Sequence, residues 1–504
     1  VKHKNSWFVV LYSDEGNPET GEKNFSKPDC QRMSDEQFRW LKGTLKAAKG
    51  GDHVFVFLHH PRWLRQYGDD WKKVHKALAA NGNVRAVFAG HIHYMGFSGV
   101  RDGIEYYTVA SVGAHLTMEA PQGGFLHEYH VVTVRPDGIK VSALPVGTVM
   151  DPQKITDAVS DDLLNINRAL TPRVASVEAA RDGPMVTVTG QVDALVTLSF
   201  RNAGERPIEL EVVPLDGYPW RFGPDHQHLV IAPQASAQTT FMVNRAVSKE
   251  PFALPTLEVR CDYLARDRRI PLPIRTTTIQ LPPPDALGQQ DQEFNGVLVL
   301  DGASCLKVPH AAFALPQGPM TLECWARGDD LKGRRALVTK TETSDYGLFC
   351  SDGTVDFSVL LGDQYASATS SAPVLTAGKW HHVAGVYDGE EVRVYVDGAV
   401  VARAPGVGAR RTNKHPLYVG ADPDQKGQPT SHFHGAIDDV RLSNVARYVG
   451  DTFAPPERHQ PDEETVLLIP CDRDFGPWSI DRSRSKAHPR RLGSAYCTLE
   501  NRAK

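Results

Sequence analysis

The sequence predicts a multidomain chain, α/β at its N-terminal end and all-β thereafter. Three patterns carry this expectation. Up to about Leu144, continuous apolar runs alternate with segments of helical periodicity, as in an α/β layered domain. From Pro172 onward only short alternating runs remain, separated at regular intervals by turn residues. Beyond Phe294 those runs are closed by Asp-Gly pairs, which accept the positive φ of tight hairpins.

The 504 residues are 41% apolar and 23% charged, ample for several cores and about three domains. A net charge of −4 offers no bulk electrostatic case for binding nucleic acid or a membrane surface. No apolar run approaches the roughly 18 residues of a membrane helix. None of the seven cysteines forms a C-x-x-C pair, which excludes zinc ribbons and thioredoxin-like redox motifs. In an oxidising compartment four of the last five would pair within the C-terminal domain; otherwise all are buried thiols. Val1-Lys2-His3-Lys4 runs at once into a strand, so the chain is expected to begin inside a longer polypeptide.

Residues 1–150 open with a strand at Phe8–Tyr12. Ser34-Asp35-Glu36-Gln37 forms a capping box ahead of a helix whose apolar positions are Phe38, Leu41, Leu45 and Ala48, and Gly50-Gly51 ends it. Val54–Leu58 is a strand covered on both faces. Trp71, Val74 and Leu78 mark a second helix, closed at Asn81-Gly82, and Val84–Ala89 is the next buried strand. Further strands are expected at Ile104–Val109, Glu128–Val134 and Ile139–Leu144, the last two joined across Pro136-Asp137-Gly138. Residues 151–171 read as a helical connector with Ile155, Val159, Leu163 and Leu164 on one face. Residues 172–281 read as an immunoglobulin- or fibronectin-like sandwich with no chemistry of its own. Strands are expected there at Val186–Val188 and Leu195–Leu198. Residues 282–293 are a stiff, polar, Pro-rich linker, and residues 294–504 are all-β.

Two runs carry the chemistry. Phe57-Leu58-His59-His60-Pro61 follows one buried strand, and Phe88-Ala89-Gly90-His91-Ile92-His93 follows the next. Ligands at the carboxyl ends of adjacent strands converge in one crevice, and neutral imidazole is the commonest side-chain ligand for transition metals. The order strand, S-x-E-Q-x-x-W-L helix (Ser34, Glu36, Gln37, Trp40, Leu41), strand, H-H-P, helix, strand, G-H-x-H resembles the C-terminal part of the calcineurin-like metallophosphoesterases, the group that includes the purple acid phosphatases. The resemblance implies a partial metallophosphoesterase α/β sandwich and a two-metal centre of Zn, Fe or Mn, with His59 and His91 on one ion and His93 on the other. His60 stands at a position that varies in the family and at most supports a ligand from behind. The family's D-x-H, G-D and G-N-H-[DE] motifs are absent from this chain, so the carboxylate ligands are expected from sequence ahead of Val1.

In the C-terminal region, Met320–Trp325, Gly378–Gly389, Val392–Gly398 and Phe433–Arg441 resemble the laminin-G-like, concanavalin-A-like jelly rolls. That resemblance implies glycan or cell-surface protein binding and, in some members, calcium held by Asp side chains. Asp301, Asp438 and Asp439 are the candidates, although Asp-Gly turns and strand capping explain them equally well. Trp325 and Trp380 read as core, and His381-His382 lies mid-strand with one ring on each face, which argues against a metal role. The tail from Glu464 resembles strands that complete the same jelly roll.

Two functions follow as expectations. The first is a secreted or periplasmic metal-dependent phosphoesterase, localised on a glycan or cell surface by the jelly roll. The second is a non-catalytic binding or adhesion protein that uses the esterase-like region as a scaffold.

Overall fold

Nearly continuous apolar runs at Val54–Leu58 and Val84–Ala89 demand cover on both faces, and a mixed six-stranded sheet provides it. The computed structural model describes every residue except 18, 65–66, 68–69, 249–251, 288–294 and 500–504. In chain order the sheet comprises β1 (Lys2–His3), β2 (Ser6–Val10), β3 (His53–Leu58), β4 (Val84–Ala89), β5 (Gly96–Arg101) and β6 (Ile104–Thr108). Their spatial order is β1-β2-β3-β4-β6-β5. The pairs β2–β3, β3–β4 and β4–β6 are parallel. β5, which the sequence did not announce, pairs antiparallel with β6.

Helices α1 (Asp35–Ala48) and α2 (Trp71–Asn81) cover one face, packing Leu41, Leu45, Val74 and Leu78 on Val9, Val54, Val56 and Val87. Ser34 caps α1 by accepting from the Gln37 N–H at 3.1 Å. The expected reciprocal half of the capping box is not made. Gln37 instead reaches the backbone of Tyr12, and Glu15 takes the Ser34 N–H. The opposite face is covered by a hairpin of β7 (Glu128–Arg135) and β8 (Gly138–Pro145), which packs Val132, Ile139 and Val141 on Phe55, Phe57 and Phe88.

The connector contains α3 (Asp157–Ala169), and it is not a free spacer: Leu163, Ile166 and Leu170 are buried in the core of the following domain. That domain is a sandwich of two antiparallel sheets. Trp220–Gly223, Ser236–Arg245, Val192–Arg201 and Arg173–Ala179 form one; Gln227–Ile231, Ile208–Pro214, Thr256–Leu264, Arg269–Pro271 and Arg275–Thr278 form the other. The Val186–Val188 strand does not form, since Val186 makes only an isolated bridge to Val192. Of the expected linker, residues 288–293 lie outside the described residues, and Leu287 is buried against the sandwich core.

The C-terminal region builds two large antiparallel sheets around one extended core. Thr465–Ile469 and Tyr496–Leu499 join the first sheet, and Arg490–Leu492 joins the second, so the tail completes both. All seven cysteines are free thiols, six of them buried. The protein is therefore mostly β, with a mixed α/β sheet at its N-terminal end. Among the described residues no helix is long and apolar enough to cross a membrane.

Candidate functional site

The carboxyl ends of β2, β3 and β4 lie side by side because Val10 pairs with Phe57 and Leu58 with Ala89. Within three residues of each strand's end come polar side chains: Ser13-Asp14 after β2, His59-His60 after β3 and His91 after β4. Pro61 lacks the N–H needed to continue a ladder. The Gly90 N–H donates to the His59 carbonyl at 3.0 Å and ties two of the loops together. His91 and His93 both adopt left-handed backbone, φ 70° and 57°, a strain typical of ligand-holding loops that costs on the order of 1–3 kcal/mol per residue.

Ligand atoms of His59, His60 and His91 lie within 4.8 Å of one another. His91 Nδ1 stands 3.2 Å from His59 Nε2, close to the about 3.3 Å separating two ligands bound at about 2.0–2.1 Å to a tetrahedral ion. His60 is buried beneath Phe25, whose ring stacks on it at 3.5 Å, and its Nδ1 lies 3.0 Å from Ser13 Oγ. Burial, with His91 and His59 alongside, pushes the His60 imidazole down to about 4. Burial, then His59 and His93, lowers His91 as well. Asp14 opposes both shifts, and its buried Oδ1 has no hydrogen-bond partner. Neutral imidazoles beside an unspent carboxylate oxygen are suited to a cation.

His93 stands apart from this triad. Its Nδ1 lies 2.8 Å from the His115 carbonyl, so in the neutral ring Nδ1 carries the proton and Nε2 presents the lone pair. The structure thus brings together His59, His91 and His60, the last of which the motif demoted. It also adds Ser13 and Asp14, which follow a strand that carries no motif. The only sequence signal for them was a polar Ser-Asp pair directly after an apolar run.

The calcium candidates do not meet. Asp301 pairs in register with His434, four residues along the strand from Asp438. Its carboxylate accepts from the Ala303 N–H and the Ser494 hydroxyl, which makes it a turn cap. Asp438 and Asp439 are fully buried; Asp439 accepts from the His459 N–H at 2.7 Å, and both act on Arg458. The strand register thus keeps Asp301 apart from Asp438 and Asp439. Trp325 and Trp380 are half-buried rather than core. His381 meets Asp397, while His382 lies on the opposite face of the strand, away from the sandwich core, and is buried under other chain segments.

No curated protein matches the chain. A family model described as the concanavalin A-like lectin/glucanases superfamily matches residues 300–450. Among solved structures, the chain is similar to a Bacteroides ovatus ATCC 8483 protein named for carbohydrate binding, at 14% identity over 65% of this chain and 97% of that one, with a TM-score of 0.32. It is similar to mouse laminin α1 domains LG4-5 at 14% identity over 57% and 100%, TM-score 0.26. A third is the CBM40 of a Ruminococcus gnavus sialidase bound to α2,3 sialyllactose, at 14% identity over 31% and 91%, TM-score 0.26. With scores this low, the domain assignment rests on the family match and the two-sheet topology. Residues 300–450 are a laminin-G-type, concanavalin A-like jelly-roll domain, carried on a mostly β chain behind a mixed α/β sheet.

Proposed function

We propose that this protein is a binding protein whose jelly roll captures a glycan or a cell-surface protein, with the N-terminal α/β region as its scaffold. The observation that supports this reading is the match of residues 300–450 to a superfamily of lectins and glucanases. The role places the protein outside the cytoplasm, secreted or periplasmic. The test is a glycan array probed with the full chain. Saturable binding to one glycan class, competed by the free sugar, is the expected result. Absence of saturable binding to any glycan and to intact cells would remove this function.

A second reading, metal-dependent hydrolysis of a phosphate ester, is favoured by the convergence of His59, His60 and His91 beside Asp14. The donor set fits one first-row transition ion such as Zn, Fe or Mn. Among the described residues no carboxylate joins the three imidazoles within ligand distance, so these residues by themselves provide for one ion. A bound ion would supply Lewis-acid polarisation of a phosphoryl oxygen and an acidified water. The chain's own part is to hold three imidazoles in place, with Phe25 excluding water from one side of His60. Metal analysis and p-nitrophenyl phosphate turnover test this reading on wild type and His91→Ala. A loss of at least tenfold in the variant is expected, and equal turnover in both removes it.

A further inference from the structure

A second histidine cluster lies on the outer face of the jelly roll's first sheet. In strand Met320–Asp330, Leu322 and Cys324 point into the core, so Glu323 and Trp325 point away from it. Glu323 pairs in register with Arg441, and Trp325 with His382. Residues 444–464 fold back over this face. Ala446, Tyr448 and Phe453 pack on Ala384, Val386 and Tyr395, and the same segment brings in His459. Glu323, His382 and His459 are 0%, 0% and 4% exposed.

Ligand atoms of these three residues lie within 4.8 Å of one another. Glu323 Oε2 is 3.3 Å from His382 Nε2 and 3.6 Å from His459 Nε2. These are long for hydrogen bonds between a carboxylate and an imidazole. They are close to the about 3.3 Å expected between two ligands of one tetrahedral ion. Apart from the long approach of Nε2 to Glu323, neither ring nitrogen of the fully buried His382 has a hydrogen-bond partner among the described residues, which is rare for a buried polar group unless a water or an ion completes it. The carboxylate is already oriented: Arg441 Nε donates to Oε1 and the Tyr448 hydroxyl to Oε2, each at 2.8 Å. Such outer partners are what fix a metal-binding carboxylate. A pocket of about 470 Å³ reaches the cluster through His459, Arg441 and Tyr448.

We propose that Glu323, His382 and His459 hold a divalent first-row transition ion, Zn²⁺ in the first instance, with its remaining coordination position facing that pocket. A two-histidine, one-glutamate set with one open position is a recurrent zinc arrangement. Because two ligands come from the sheet and His459 from the segment that covers it, the ion clips the cover to the sheet. This site requires neither of the functions proposed above.

The test uses the full chain carrying His59→Ala and His91→Ala, which takes two of the three clustered imidazoles out of the N-terminal site. After stripping with a chelator, this variant is titrated calorimetrically with Zn²⁺ in millimolar Mg²⁺ and Ca²⁺. Uptake of one equivalent is expected, with at least a tenfold loss of affinity on adding His459→Gln, whose position lies outside every strand. No uptake, or uptake that His459→Gln leaves unchanged, would overturn the proposal. A second measurement needs no change in the jelly roll. Co²⁺ added to the double variant should give the intense visible bands of a four-coordinate site, and a weak six-coordinate spectrum alone would overturn it. Trypsin cleavage within 444–464, at Arg447 or Arg458, should be faster in the metal-free protein than in the Zn²⁺ form.

Discussion

His60 shows how one buried side chain couples the N-terminal site to stability. Burial first, then the neighbouring His91 and His59, lowers its folded-state value from 6.5 to about 4. The unfolded chain therefore takes up a proton first as pH falls, which draws the equilibrium toward unfolding. This group's contribution is complete above about 6.5 and is lost as pH falls to about 4. In chelator-containing buffer, the Tm of wild type should fall more steeply between pH 7 and 4.5 than that of His60→Asn. Parallel profiles in scanning calorimetry would show that His60 is not the cause. The same residue marks what the sequence made readable at this scale. His59 and His91 stand out because each directly follows an apolar strand in a recognisable run. Asp14 and His60 are 46 residues apart, and only the parallel pairing of β2 with β3 makes them neighbours.

Among the elements, α3 departs furthest from its reading as a connector. The expected stripe of Ile155, Val159, Leu163 and Leu164 was legible as an amphipathic helix, although Ile155 precedes α3 and packs with Met95 and Leu126 instead. The partner that covers the stripe was not. Leu163 and Ile166 are 0% exposed and belong to the sandwich core. Asp162, on the same helix, accepts from the Glu205 N–H and from the Tyr263 hydroxyl, each at 2.8 Å. Leu163→Ala should therefore cost about 2–5 kcal/mol in urea-induced unfolding of the sandwich. A change within about 0.5 kcal/mol, the range of exposed positions, would mean that the helix is the spacer its sequence suggested. The helix ends, by contrast, were written locally: Ser34 caps α1, and Gly82 closes α2 in left-handed conformation.

At the scale of the whole molecule, the domains share side chains. Trp478 lies in a jelly-roll strand that pairs with Arg490, yet it is buried in the sandwich core beside Phe252, at 6.1 Å. Gly476, at φ +55°, lets the backbone pass Phe252, because a Cβ there would lie 2.5 Å from the ring. Met118, Ala120 and Phe125 from the N-terminal region enter the same core. Scanning calorimetry of wild type should give one joint transition for sandwich and jelly roll. Trp478→Ala, a large-to-small change worth about 3–5 kcal/mol, should split it. Two separate transitions already present in wild type would show that the two unfold independently.

The sequence by itself determined the local features. These are the helix caps, the buried parallel strands, the Asp-Gly hairpins of the jelly roll and the motif histidines His59 and His91, all encoded within a few residues of chain. Tertiary structure alone decided what those features face. It made His60 and Asp14 part of the N-terminal cluster, separated Asp301 from Asp438 and Asp439, and buried α3 in the sandwich. It also placed His459 against His382 and Glu323. The physical reason is that periodicity specifies which face of an element is buried, whereas its partner depends on strand order and chain reversal over tens of residues. Of that last cluster the sequence showed only His382, mid-strand beside His381, and its partners Glu323 and His459 lie 59 and 77 positions away along the chain.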